Sequence, residues 1–325
     1  MKVVPDLKSF PSYDTFWHIF DWSKFENDER TKDLVAHWGC NFDVSKLDDK
    51  KINAYMGVEH PGIFFVGRIP GTNLANQLRM ENSFDHLLTY NFQVANSGRG
   101  YRFIPYPYDI EFVHRQLGIS ALDDVEKDLD VVLCGTNPAP DYPITPWVDT
   151  IKQFDHSFCS PHPPGVFKSW NEKQLDIARS KISIVWSVFF GADEASKNFS
   201  ESNFPWIKFD RGPDLGRWLT PHFKPRVHDA ASLKSLMLCY KGPFAGKDYP
   251  YNNSIEYYYE PDVDFLYFDD AKDLQDKIRM ILDDYDNPRY KNMVDSAYNK
   301  AVSDHTIEAW YEEYMVPLAL KGKTR

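Results

Sequence analysis

The sequence contains little cysteine, and its cysteines form no regular pattern. There are four among 325 residues, Cys40, Cys134, Cys159 and Cys239, with no Cys-x-x-Cys pair. Cys134 and Cys239 lie in apolar runs typical of buried strands, where a reduced core thiol is the usual role. The sequence therefore predicts reduced thiols and a reducing compartment.

Long apolar runs are also missing. The longest, Ile182 to Phe190, is far shorter than the roughly 20 residues that a helix needs to span a bilayer. The first residues, MKVVPDLKSF, lack the apolar segment of a signal peptide. We therefore expect a soluble, cytoplasmic protein without a transmembrane segment.

Positive charge is scarce compared with negative charge. Lys and Arg number 37 against 48 Asp and Glu, which gives a net charge of -11 at pH 7. Generic nucleic-acid-binding proteins carry a basic stripe, and this sequence has none, so we expect no nucleic-acid partner. Because the overall field repels anions, an anionic ligand would need local Arg or Lys side chains and helix N-termini.

Motifs of several common enzyme classes are absent. The sequence has no P-loop, no complete Gly-x-Gly-x-x-Gly and no Gly-x-Ser-x-Gly, which argues against nucleotide hydrolases, dehydrogenases and α/β-hydrolases. The cluster His156-x-x-Cys159-x-x-His162 offers only three candidate zinc ligands and is interrupted by prolines. We expect no metal and no cofactor other than a co-substrate.

The chain does have the length and composition for two packed domains. It is 42% hydrophobic and 16% aromatic, and 325 residues are too many for one ordinary core. Short apolar runs alternate with helical patterns, which predicts two α/β units. The predicted strands are 62–67, 87–90, 101–106, 130–136, 182–187, 206–209, 236–239 and 265–268. The predicted helices are 21–33, 172–179, 271–284, 288–302 and 306–320, the last capped by Thr306.

The stretch from Lys224 to Asp270 has the strongest functional pattern. A short helix that starts near Arg226 precedes an apolar strand, and a helix start at the carboxyl end of a parallel sheet favours a diphosphate through its N–H groups and dipole. Arg226 could bind phosphate oxygens with two N–H groups, with Lys224 and Lys234 as secondary candidates. The structural alternative is a surface Arg226 that pairs with Asp229.

Two further residues belong to this hypothesis. Gly135 and Thr136 end the first strand of the second unit, and a glycine after a strand lets the backbone approach a ligand in doubly wound domains. We expect Gly135 and Thr136 to contact the same ligand whose diphosphate Arg226 would bind.

The 224–270 stretch resembles the donor-binding half of GT-B glycosyltransferases, especially spore-protein-type and exostosin-like enzymes. Arg226 takes the arginine place of their R-x-F-E-A-x-A-x-G element, Asp229 stands where they usually have Glu, and Glu256 matches their second acidic residue. Upstream, FDHLLTYNFQVANSGRGYRFIPYPYD is similar to the N-terminal domain ends of GT-B and fucosyltransferase-like enzymes. The chain departs from the motif at Lys234-Ser235 and at Pro221-His222, which replace a small-Gly step and an upstream Glu.

The resemblance implies a GT-B fold of two Rossmann-like domains that face a cleft. It implies an acceptor-side domain over residues 1–125, a nucleotide-sugar domain over 126–305, and a C-terminal helix over 306–325 that packs back on the first domain. Arg226, Glu256 and Asp229 would be catalytic. The donor loop of the family would lie at Tyr249, Asn252, Asn253 and Ser254.

The implied function is metal-independent transfer of a hexosyl, deoxyhexosyl or pentosyl group from a nucleotide-diphosphate sugar to a glycan or glycoprotein acceptor. Two alternatives stay open, which are a GT-B-like sugar-nucleotide epimerase and a non-catalytic binding or assembly module. Glu256 and Asp229 also have structural interpretations. Glu256 could lie on a solvated face, and Asp229 could be a favourable acidic residue in the first turn of a helix. The sequence identifies no general base, although Asp85, His86, Asp109 and His114 lie near strand ends of the first unit.

Overall fold

The computed structural model describes residues 1–5, 20–38, 44–57, 81–118, 122–134, 144–159, 168–192, 194–212 and 216–323. These residues form two five-stranded sheets and one three-stranded sheet, with helices packed around them. The strands are β1 Lys2–Pro5, β2 Leu34–Trp38, β3 Ile52–Gly57, β4 His86–Thr89, β5 Tyr101–Phe103, β6 Leu129–Cys134, β7 His156–Cys159, β8 Ser180–Val185, β9 Val188–Ala192, β10 Asp210–Arg211, β11 Trp218–Pro221, β12 Leu236–Tyr240 and β13 Phe265–Phe268.

The helices lie mainly after β5. The α-helices are α1 Phe92–Ala95, α2 Ile110–Leu117, α3 Thr145–Ile151, α4 Trp170–Arg179, α5 Glu194–Asn203, α6 Arg226–Ser232, α7 Ala271–Asp283, α8 Pro288–Asp304, α9 Ile307–Trp310 and α10 Val316–Lys321. A π-helical segment, Tyr311–Met315, joins α9 to α10. Short 3-10 helices occur at Trp22–Phe25, Glu29–Thr31, Val44–Lys46, Leu122–Asp124, Gly242–Phe244 and Ser254–Tyr257. Among the described residues, no helix is both long and apolar enough to cross a membrane.

The first sheet is parallel throughout and has the order β1-β2-β3-β4-β5. All four residues of β4 are buried, because a parallel sheet is covered on both faces and its strands are apolar runs. The predicted strand 87–90 is confirmed as β4, and the predicted strand 101–106 is confirmed over its first half, since β5 ends at Phe103. The predicted strand 62–67 lies outside the described residues.

The second sheet is also parallel, and its order is β13-β12-β8-β6-β7. The chain passes from β6 to β7 on one side and then crosses to β8 on the other, so the strand order reverses between β6 and β8. All five residues of β12 are buried, and its Cys239 is a free thiol with no exposed surface, as the sequence predicts for a core cysteine. Ligands of such sheets bind at the carboxyl ends of the strands where the order reverses.

The third sheet is an antiparallel excursion between β8 and α6. Strand β11 pairs with β9 on one side and with β10 on the other. The predicted strand 206–209 is wrong, since this segment is a turn and an irregular stretch that ends before β10. Phe204 is fully buried and Trp206 packs against the first domain, so the aromatic residues mark a docking loop rather than a strand.

The C-terminal helices cross back onto the first domain, as expected for the fold. Tyr108, on the way out of the first domain, exchanges backbone hydrogen bonds of 3.0 Å with His305 and Ile307. Thr306 caps α9 by accepting a hydrogen bond of 3.2 Å from the amide of Ala309, also as predicted. The buried ring of Tyr311 stacks on that of Phe25 at 4.1 Å.

The predicted single helix 306–320 is interrupted by the π-helical segment. Pro317 lies in the first turn of α10 and has no amide hydrogen to donate to the preceding turn. The predicted helix 21–33 is replaced by the 3-10 helices Trp22–Phe25 and Glu29–Thr31. The predicted helices 172–179, 271–284 and 288–302 are confirmed, with small changes in their ends, as α4, α7 and α8.

Candidate functional site

The candidate site lies at the carboxyl end of the second sheet, beside the reversal of strand order. Gly135 and Thr136 directly follow β6 in sequence, but they lie outside the described residues. Trp186 and Ser187 directly follow β8, and both are buried. Strand β8 therefore delivers an aromatic ring and a hydroxyl to the position where doubly wound sheets bind ligands.

Arg226 is stacked on this aromatic ring. Its Cζ atom lies 3.9 Å from the ring centroid of Trp186, a close cation–π contact. The N–H groups of a guanidinium lie in its own plane, so an arginine that contacts a ring through Cζ can still donate two of them in parallel to a phosphate. The sequence pointed to Arg226 but missed Trp186, for which the only signal was its place after a strand.

The helix that begins at Arg226 is shorter than a strong anion site requires. Helix α6 has seven residues, and the amide of Val227 already donates to the carbonyl of Lys224 at 3.1 Å. Its dipole is correspondingly small, since the macrodipole grows from aligned peptide units. The positive charge that α6 itself can offer to an anion therefore comes mainly from the Arg226 side chain.

Asp229 is placed in a buried cluster that joins three segments. Its Oδ1 accepts hydrogen bonds from the Tyr108 hydroxyl at 2.6 Å and the Gln174 side-chain amide at 2.8 Å. Its Oδ2 lies 2.5 Å from the ammonium of Lys173. Asp229 is 2% exposed, so these contacts tie α6 to α4 and to the exit from the first domain. Asp229 therefore does not lie at a surface that a ligand could reach.

Glu256 holds the loop between β12 and β13. Its Oε1 accepts hydrogen bonds from the amide of Gly246 at 3.0 Å and from the hydroxyl of Tyr267 at 2.7 Å. Burial and the neighbouring Cys239 and Glu256 raise the pKa of the Tyr267 hydroxyl, which keeps it protonated as a donor. Glu256 is half-buried, and no hydrogen bond to its Oε2 is seen from the described residues.

The neighbouring polar residues have different roles. Asn253 is fully buried, caps the 3-10 helix Ser254–Tyr257 and donates to the carbonyls of Tyr240 and Lys241 at 3.4 Å each. Ser254 is 5% exposed. The side-chain oxygen of Asn252 is shielded from solvent and has no hydrogen-bond partner among the residues that the structure describes. Asn252 is thus the residue of the predicted donor loop with unused bonding capacity.

Tyr249 contacts the first domain rather than the second sheet. Its hydroxyl accepts a hydrogen bond of 2.7 Å from the side chain of Asn96, and its ring meets that of Phe92 edge-on at 5.0 Å. Two more polar side chains of the same segment, Asn91 and Gln93, bond across the domain junction. Asn91 donates to the carbonyl of Pro221 at 3.3 Å. Sequence reasoning missed this junction, because the partners are more than 100 residues apart.

The candidates for a general base all have structural partners. Asp85 accepts from the amide of Asn53 at 2.8 Å, and Asp109 caps α2 at 3.0 Å and pairs with Lys24 at 3.1 Å. The rings of His86 and His114 each lie within 3.2 Å of a backbone carbonyl. Burial lowers the pKa of both rings.

The histidines also bear on the metal hypothesis. The Nδ1 of His156 lies 2.9 Å from the carbonyl of Phe154, a local contact within its own turn. His162 lies outside the described residues. In the described part of the chain, no group of three or more His, Cys, Asp or Glu side chains is arranged to hold a metal ion.

Comparison with known proteins identifies the fold of the chain. No protein-family model matches the chain, and no curated protein matches it in sequence. Among solved structures, the chain is similar to a glycosyltransferase of Rickettsia africae, with a TM-score of 0.52 and 8% identity over 98% of each chain. It is also similar to sucrose-phosphate synthase of Thermosynechococcus elongatus, with a TM-score of 0.51 and 9% identity over 98% of this chain and 80% of that one.

A third similar structure contains a ligand. HepE of Anabaena, solved in complex with UDP-glucose, has a TM-score of 0.51 and 10% identity, over 89% of this chain and 78% of that chain. Together with the two parallel sheets and the returning C-terminal helices, these likenesses show that the chain has the GT-B fold. The narrower resemblance to spore-protein-type and exostosin-like enzymes is not seen among these structures.

Proposed function

We propose that this protein is a GT-B glycosyltransferase that moves a sugar from a nucleotide-diphosphate donor to a hydroxyl acceptor. The observation that carries the proposal is the stack of Arg226 on Trp186 beside the β6/β8 reversal of a GT-B fold. The Anabaena structure that shares this fold was solved with UDP-glucose, which supports a nucleotide-sugar donor. We propose UDP-sugars as the first donors to test.

Arg226 would bind the diphosphate. The leaving diphosphate gains charge as the glycosidic bond breaks, so a positioned guanidinium stabilises the transition state more than the bound substrate. Trp186 would hold the guanidinium in place before the reaction. Less conformational entropy of Arg226 would then be lost when the diphosphate leaves. Because the chain carries a net charge of -11, this local positive charge is needed for the donor to bind at all.

Glu256 and Asn252 would position the sugar or the ribose. Oε1 of Glu256 is already held by Gly246 and Tyr267, which fixes the carboxylate, and Oε2 would accept hydrogen bonds from hydroxyl groups of the donor. The side-chain oxygen of Asn252, which has no partner within the described part of the chain, would accept a hydrogen bond from a hydroxyl group of the donor. We propose that Ser254, Gly135, Thr136 and Lys224 complete the donor site, with Asn253 fixing the loop.

Asp229 would act through its neighbours. Its hydrogen bonds to Gln174 and Tyr108 and its ion pair with Lys173 hold the helix that begins with Arg226. We assign it the role of a positioning residue that sets where the guanidinium lies. The residues of the two domains that line the cleft would exclude water from the transition state, which resembles an oxocarbenium ion.

The experiment is a thermal-shift and calorimetry panel of UDP-, GDP-, dTDP- and CMP-sugars, with and without magnesium. A ligand that binds only the folded state stabilises it by about 2.7 kcal/mol at a hundredfold excess over Kd. A single responding base would identify the donor class. Donor turnover to a free epimerised sugar would favour the epimerase, and binding without any turnover would favour a binding module. No response on folded protein would refute the proposal.

A further inference from the structure

A group of four aromatic rings lies where the two domains meet, and we call it the aromatic platform. Phe92 and Phe103 come from the first domain, and Tyr249 and Tyr257 come from the β12–β13 loop of the second. Phe92 lies 4.5 Å from Phe103, 5.0 Å from Tyr249 and 5.2 Å from Tyr257, and Phe103 lies 5.1 Å from Tyr257, all measured between ring centroids. These contacts join aromatic rings of both domains into one group across the junction.

The two tyrosines of the platform are exposed. Tyr249 is 54% exposed and Tyr257 is 46% exposed, whereas Phe92 beneath them is 4% exposed. Burying apolar surface is worth about 25 cal/mol per Å², so a ligand that covered these two rings would gain binding free energy from their burial. The rings are held in place by one another, so a ligand would not have to order them.

The platform lies close in sequence to a residue of the proposed donor site. Phe92 begins helix α1 just after the carboxyl end of β4, and Phe103 ends β5. Tyr257 directly follows Glu256, for which we propose a donor contact. The platform thus lies at the carboxyl ends of β4 and β5 and adjoins, through Tyr257, the loop in which we propose the donor contact.

The chemistry of the platform fits a sugar ring. A pyranose has C–H groups on its faces, which pack on aromatic rings, and hydroxyl groups at its edge, which need polar partners. Polar groups surround the rings here, because Asn96 lies on the Tyr249 hydroxyl at 2.7 Å and the Tyr314 hydroxyl lies beside Tyr257. An aromatic face with a polar rim is the arrangement that a carbohydrate requires.

The charge around the platform determines which ligands with an apolar face could bind to it. Glu313 lies close enough to Tyr257 to contribute to the raised pKa of its hydroxyl, after burial as the main cause. The exposed Arg102 lies over the ring of Tyr314, 5.8 Å from its centroid, and partly offsets this negative charge. The net charge of -11 means that the protein as a whole repels nucleic acids and anionic membranes but not neutral sugars. The occupant favoured by these observations is a neutral glycan.

We propose that the aromatic platform binds a pyranose ring of a neutral glycan acceptor. The identity of the glycan as an acceptor rests on the proposed function, but its binding can be measured without any turnover. Tyr257 is a better residue to substitute than Tyr249, because its ring contacts both phenylalanines of the first domain. Its ring, rather than its hydroxyl, provides the contact.

The test is saturation-transfer NMR of the full chain with four trisaccharides, namely maltotriose, cellotriose, mannotriose and N-acetylchitotriose. We expect at least one to bind, with the strongest transfer to the C–H protons of one ring face. Tyr257→Ala should weaken that binding about tenfold, which corresponds to about 1.4 kcal/mol. Tyr257→Phe should retain it within about twofold, since the ring face remains. Met280→Ala removes another exposed side chain, 46% exposed on α7, and should change nothing.

Three results would overturn the inference. They are failure of all four trisaccharides to bind folded wild-type protein, unchanged binding by Tyr257→Ala, and loss of binding in Tyr257→Phe. Specific binding of duplex DNA or phosphatidylserine vesicles that Tyr257→Ala abolishes would also overturn it. Donor binding is measured in parallel on the same variants. Glycan binding without any donor binding would refute the glycosyltransferase proposal and leave the platform standing, and the reverse pattern would refute the platform alone.

Discussion

Replacing Asp229 by alanine separates a positioning role from direct ligand binding. The substitution removes the buried carboxylate that pairs with the Lys173 ammonium and accepts hydrogen bonds from Tyr108 and Gln174. Breaking a buried ion pair costs about 3–5 kcal/mol, and the Lys173 side chain is 25% exposed, so we take the lower end, about 3 kcal/mol. At about 2 °C per kcal/mol for a chain of this size, Tm should fall by about 6 °C.

The assay combines thermal unfolding with donor titration. Asp229→Asn keeps the size and one acceptor oxygen, so it should lose less stability than Asp229→Ala. Asp283→Ala removes an exposed carboxylate at the end of α7 and should melt like the wild type. If Asp229→Ala melted at the wild-type temperature but lost donor affinity, Asp229 would be a ligand-binding group and the structural reasoning would be refuted.

Three other outcomes follow from the contacts. Tyr311→Phe removes a buried hydrogen bond of 2.5 Å to Thr31, so urea unfolding should show a loss of about 1 kcal/mol; an unchanged midpoint would contradict this. Burial lowers the pKa of His228 and His305, so the unfolded state binds more protons below about pH 6.5 and stability should fall as pH decreases from there; melts that are flat from pH 7 to 5.5 would contradict it. Glu256→Gln should weaken donor binding several-fold in calorimetry with little change in Tm, and an unchanged Kd would exclude its proposed donor contact.

The sequence was sufficient for elements with strong local patterns. Strands β12 and β13 are short apolar runs, and α7 has an apolar face that is buried against the sheet at Leu274, Ile278 and Ile281. These patterns depend on neighbouring residues alone, so they can be read without the tertiary structure. The GT-B fold came from the resemblance and is confirmed by the two parallel sheets and the returning helices.

Tertiary contacts explain what the sequence did not predict. Trp206 looks like part of an aromatic strand, but its partners are Phe204 and the core of the first domain. Trp186 became a site residue only when the structure placed Arg226 on its ring. Asp229 occupies a motif position, yet its partners on α4 and at Tyr108 lie more than 50 residues away. No local pattern encodes such pairings.

The most direct test of the central claim is calorimetric titration of the best nucleotide sugar into wild type and Arg226→Ala. Arg289→Ala, which removes a 56% exposed arginine on α8, serves as the matched control. Charge-assisted hydrogen bonds contribute about 1.5–3 kcal/mol, so Arg226→Ala should bind the donor about 10- to 100-fold more weakly, while Arg289→Ala should bind normally. Wild-type affinity in a folded Arg226→Ala protein would contradict the account.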